Sequence, residues 1–95
     1  MIVKLEFDMF YTTIKVPDIS EKELRKGLYK QFERWLKQRG YAERIGRDIC
    51  FSYNDDAVIQ WLQETKFYND NIEILEKHKS IDFKSQYNFD TLLYF

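Results

Sequence analysis

Residues 19–40 constrain this chain more than any other stretch. Ser20 and Glu23 stand in S-x-x-E spacing, in which a hydroxyl and a carboxylate satisfy free backbone N–H groups at a helix start. Ile19 before the cap and Leu24 after it have the spacing of a hydrophobic staple. Leu24, Leu28, Phe32, Trp35 and Leu36 then recur at helical period. Lys37 and Arg39 suit the negative end of the helix dipole, and Gly40 suits the left-handed residue that stops a helix. The spacing predicts one helix over 21–39. Gly27 inside it costs about 1 kcal/mol relative to alanine, which a close packing contact would justify.

The segments on either side read as strands. Val3, Leu5, Phe7, Met9 and Tyr11 alternate with Lys4, Glu6, Asp8 and Phe10, the period of a half-buried strand. Ile14 and Val16 are apolar on the other parity, so a strand over 2–16 needs a bulge or an end near residues 10–13. Residues 41–53 read as two short strands broken at Gly46. Asn54-Asp55-Asp56 starts a second helix over about 55–66, and Tyr68-Asn69-Asp70-Asn71 is a turn. Residues 72–78 suit either a strand or a helix turn. Ile81 and Phe83 alternate as strand, and the aromatic tail Tyr87–Phe95 is expected to pair or pack, within the chain or across a dimer. Strand, helix, two strands, helix, strand predicts an α+β domain over 1–95, a ferredoxin-like βαββαβ unit with both helices on one face of an antiparallel sheet.

A chain of 95 residues can bury one core and no more. Its one cysteine excludes an internal disulfide and points to a cytoplasmic setting. No apolar run approaches the roughly 20 residues of a membrane span, and the charged N-terminus does not read as a signal peptide. The net charge of −1 hides a bipolar chain. Residues 22–47 hold nine cations against three acids, whereas residues 48–95 hold four against nine. A basic segment can meet phosphates, and an acidic half can meet the basic segment of a second copy.

No catalytic constellation stands out. His78 is the only histidine, has no nucleophile beside it in sequence, and reads as a surface residue. Cys50, between Ile49 and Phe51, reads as a core cysteine. Asp55 and Asp56 read as helix capping rather than a metal pair. Asp82 and Lys84 have the D-x-K spacing of a nuclease strand, a three-residue match common by chance. Along the first helix, Lys22, Lys26, Lys30 and Lys37, flanked by Arg25 and Arg34, could follow a phosphate backbone or simply form a solvated face. Asp8 lies on the polar side of the first strand.

Three stretches together resemble the virulence-associated protein D family and, more distantly, the CRISPR-associated protein 2 family. These are the first strand LEFDMF; Gly40-Tyr41 followed by Gly46, Ile49 and Phe51; and SIDFKSQYNFDT near the end. The resemblance implies a ferredoxin-like homodimer that cleaves RNA, of the kind found at toxin–antitoxin loci. It places Asp8 as the catalytic and metal-binding residue, two copies of which would share a divalent cation such as Mg2+. It leaves RNA guidance to the basic helix, Arg44 and Arg47. Arg47 stands where the family has a small hydroxyl residue, and Asp82 where it has an arginine. The alternatives are a non-enzymatic module that binds a protein partner, as an inhibitor, antitoxin or phage accessory protein would, and a non-catalytic nucleic-acid binder. The abundance of tyrosine, phenylalanine and tryptophan favours the former.

Overall fold

A change of parity in an apolar pattern marks either a bulge or a reversal of the chain, and here it marks a reversal. The structure, a computed structural model, describes residues 1–79 and 86–95. Strands β1 (Ile2–Glu6) and β2 (Tyr11–Lys15) form an antiparallel hairpin, with Val3 opposite Ile14 and Leu5 opposite Thr12. Each odd residue of β1 therefore faces an even residue of β2 and shares its side of the sheet, which is why the apolar parity flips. Phe7 N–H donates to Phe10 C=O at 2.9 Å and closes the turn. An irregularity also occurs nearby: between Thr13 and Ile14 the pairing with strand β5 (Glu73–His78) slips by one residue. Residues 73–78 are thus strand.

The helix predicted over 21–39 is two helices, α1 (Glu21–Arg25) and α2 (Lys30–Gln38). The hydroxyl half of the cap is as read, with Glu23 N–H donating to Ser20 Oγ at 3.1 Å and Leu24 buried. The break falls at Gly27, whose φ of +81° excludes a right-handed helix. An added Cβ there would lie 2.5 Å from Gln31 Oε1. Gly27→Ala is expected to cost about 1–2 kcal/mol from the left-handed backbone, measured by urea unfolding. An equal or higher midpoint would mean that the break is not imposed by this geometry. Gly40, at φ +82°, ends α2 as expected.

The chain continues through β3 (Ala42–Ile45), β4 (Asp48–Phe51), α3 (Asp55–Thr65) and, after β5, β6 (Thr91–Tyr94). The main sheet has the order β5-β2-β1-β6, with β6 parallel to β1 and the other pairs antiparallel. The α+β class therefore holds, but the order βαββαβ is not observed. The first expected strand is a hairpin, Gly27 divides the first helix, and among the described residues β3 and β4 pair only with each other. Residues 80–85, including the expected strand at Ile81 and Phe83, lie outside the described residues.

The three helices among the described residues pack on the side of the sheet carrying Val3, Leu5, Ile14 and Leu93, forming one core with Phe32, Leu36, Val58, Trp61 and Phe67. Asp55 ties α3 to the sheet: its Oδ2 accepts from Thr12 Oγ1 at 2.7 Å and lies 3.2 Å from Lys77 Nζ. Asp90 ties β6 to the start of β1, accepting from Ile2 N–H at 2.7 Å and donating its own N–H to Ile2 C=O. Among the described residues, no helix is long and apolar enough to cross a membrane.

Candidate functional site

The most distinctive concavity is an aromatic groove of about 270 Å3 between the α1–α2 break, the base of the β3–β4 hairpin, and β6. Leu28, Phe32 and Leu36 make its floor on the helical side, and Phe51, Tyr53 and Phe95 make its opposite wall. The aromatic contacts are specific. Phe32 meets Tyr53 edge-on at 5.3 Å and Phe95 at 5.9 Å, and Phe95 stacks on Phe7 at 5.4 Å. Two tyrosines near the groove are almost uncovered: Tyr29 at its rim, at 83% exposure, and Tyr94 on β6, at 73%, which follows core-facing Leu93 and so points to the opposite face of the sheet. Tyr29 sits where it does because the turn after Gly27 swings it out; in a continuous helix it would fall beside Leu36 at the edge of the apolar stripe. Burial, reinforced by the charge of Glu33, pushes the Tyr53 hydroxyl pKa up, so Tyr53 presents a neutral donor to the groove at physiological pH.

The β3–β4 hairpin projects beside this groove. Phe51 packs on the core, but Ile45 and Ile49 are exposed at 62% and 53%. Cys50 pairs with Glu43 and is exposed as well, which corrects its reading as a core cysteine: the hairpin stands off the sheet, so its side chains meet solvent. Arg44 and Arg47 are on this hairpin and its turn, both exposed.

The other predicted site residues are dispersed. Asp8 is exposed in the β1–β2 turn. No group of three or more His, Cys, Asp or Glu side chains suited to a metal occurs among the described residues. Lys22 and Lys26 lie on α1 and the turn after it, so the break at Gly27 separates them from the stripe on α2 and the expected continuous basic face is not formed. Lys30, Arg34 and Lys37 do form a stripe on α2, opposite buried Phe32, Trp35 and Leu36, and make no ion pair among the described residues. Arg25 and Arg39 are engaged by Glu21 and Glu64. His78, read as a surface residue, is half-buried on the sheet face away from the helices. Its Nε2 is 3.2 Å from Glu76 Oε2 and its ring 4.8 Å from that of Tyr11. Asn54 is the cap of α3, accepting from Asp56 N–H at 3.0 Å, while Asp55 turns inward. Asp82 and Lys84 lie outside the described residues.

Sequence reasoning registered the wealth of aromatic residues but not which of them line a groove, because that depends on the break at Gly27 and on the parallel placement of β6. Comparison with known proteins gives no match to a family model, to a curated protein or to a solved structure.

Proposed function

We propose that this chain is a protein-binding module whose docking face is the aromatic groove together with the projecting hairpin. One observation carries this reading: an apolar groove with exposed Tyr29 at its rim lies beside edge strand β6, whose Tyr94 stands exposed on the opposite face of the sheet. Exposed tyrosines beside an apolar pocket are the composition of an interface centre, where a few aromatic anchors carry most of the binding energy. Exposed Ile49, on the face of the hairpin that carries Phe51, extends the apolar surface, and an isolated two-stranded hairpin is marginal in water until something packs on it. The reading does not depend on a ferredoxin-like order of strands.

The test is a comparative pull-down from native lysate with the full chain and with its Tyr29→Ala and Tyr94→Ala variants. Both tyrosines are too exposed for their loss to unfold the domain, so circular dichroism should be unchanged. Each variant is expected to bind a retained partner at least about 10-fold more weakly, the effect of truncating an interface anchor. A partner held equally by all three proteins, or none held by the parent chain, would sink the reading.

The stripe Lys30, Arg34 and Lys37 favours a second reading, action on RNA, of which the virulence-associated protein D-like form would pair two Asp8 carboxylates around Mg2+ in a homodimer. Three phosphate contacts on a single strand imply a slope of log affinity against log salt of roughly −2. Replacing all three cations by alanine should abolish that slope together with the binding. Labelled RNA incubated with Mg2+ or EDTA, beside Asp8→Ala, tests cleavage. Cleavage unchanged in a folded Asp8→Ala protein excludes Asp8, and salt-independent binding excludes the stripe.

A further inference from the structure

The groove runs along an unpaired strand edge. β6 ends the sheet order, so no strand covers its outer side among the described residues. Successive residues of a strand direct their N–H and C=O groups to opposite sides. Phe95 N–H donates to Glu6 C=O on β1 at 2.9 Å, which turns residues 93 and 95 towards β1 and residues 92 and 94 away from it. The Arg25 guanidinium marks the outward direction, since its Nη2 donates to Leu92 C=O at 3.0 Å. Arg25 is also held by Glu21 on the solvent side, so it can leave that carbonyl without losing its charge partner.

We infer that the occupant of the groove is an extended segment of a partner protein, added as a fifth strand along the outer edge of β6. This rests on the protein-binding reading above and specifies its partner. Side chains of an added strand alternate between the two faces of the sheet. On the helical face they enter the groove, against Leu28, Phe51, Tyr53 and Phe95. On the other face they lie beside Leu92 and exposed Tyr94. The segment is therefore apolar or aromatic at every second position, with register set by bonds to Leu92 and Tyr94. An amphipathic helix could fill the groove but would leave the outward groups of Tyr94 and the outward Leu92 N–H without backbone partners, and a strand satisfies groove and edge together.

The experiment selects random peptides displayed on phage against the immobilised full chain. Enriched peptides are synthesised with and without N-methylation at successive residues. The expected peptides carry apolar residues at i, i+2 and i+4. N-methylation at positions of one parity should weaken binding about 10-fold, the loss of one backbone hydrogen bond, and at the other parity hardly at all. The amides of Leu92 and Tyr94 should gain protection from hydrogen exchange. Apolar spacing of i, i+3, i+4, or insensitivity to the parity of methylation, would overturn strand addition while leaving the protein-binding reading intact. So would a failure to enrich any peptide where the pull-down yields a partner lost in the tyrosine variants. Failure of both experiments removes both proposals.

Discussion

Asp55→Ala is expected to lower the unfolding free energy by about 3 kcal/mol. Thr12 is fully buried, and its hydroxyl donates to Asp55 Oδ2. Removing the carboxylate strands that hydroxyl in the core, at a cost of about 1–3 kcal/mol. It also removes an anion from the first turn of α3, about 0.3–1 kcal/mol, and the nearer of the two carboxylates beside Lys77. Lys77 is half-exposed and can be rehydrated, which keeps the loss below that of a fully buried pair. Asp55→Asn retains an acceptor and is expected to cost about 1 kcal/mol. Equal costs for the two variants would show that charge, not the hydrogen bond, dominates. The pH dependence gives a second readout. The hydrogen bond to Asp55, helped by the charges of Asp55 and Asp56, holds the Lys77 ammonium above its ordinary pKa. A raised pKa of a cation stabilises the fold fully below the unfolded value of about 10.4 and loses that contribution as pH rises through the folded value. Asp55→Ala should flatten this alkaline decline. A decline of the same steepness would place its origin elsewhere.

Trp61→Ala is expected to cost about 3–5 kcal/mol, the range for truncating a buried aromatic. Trp61 is 1% exposed, tilts against Phe32 at 5.1 Å, and has Lys66 Nζ 5.5 Å from its ring centroid. It lies where α2 and α3 meet over the sheet, so few neighbours can move in to fill the space without breaking their own packing. Domains of this size have stabilities of roughly 5–15 kcal/mol, so the variant should melt tens of degrees lower or fail to fold. Phe32→Leu, which keeps volume in the same cluster, should cost far less. A small loss for Trp61→Ala would mean that the helices collapse to fill the void.

What could be read from the chain was what depends on near neighbours. The Ser20 cap, the stop at Gly40, the turn at Gly46 and the start of α3 all follow from side chains acting within a few residues. The hairpin at 7–10 was half legible: the change of parity was visible, but bulge and reversal produce the same change over so short a run. Gly27 was misread because a glycine inside a strong apolar stripe is compatible with an unbroken helix, and only the tertiary packing makes φ positive there. The partner of β6 was beyond reach, since a parallel pairing between residues 3–6 and 91–94 leaves no local trace. The groove depends on both of these features. Its aromatic residues were therefore visible as composition, while their convergence was not.

The β3–β4 hairpin has its two ends close together: Ser52 N–H donates to Tyr41 C=O at 3.0 Å, and Tyr41 stacks on Trp35 at the end of α2. Residues 43–50, held between core-packed Tyr41 and Phe51, thus form a cassette plugged into a fixed socket. The tip can be lengthened, recoloured with other side chains or exchanged wholesale without disturbing the four-stranded sheet or the buried cluster behind it. Descendants of such a chain could change what they recognise at Ile45, Arg47 and Ile49 while keeping the same scaffold, and a laboratory graft at the Gly46 turn should be accepted for the same reason.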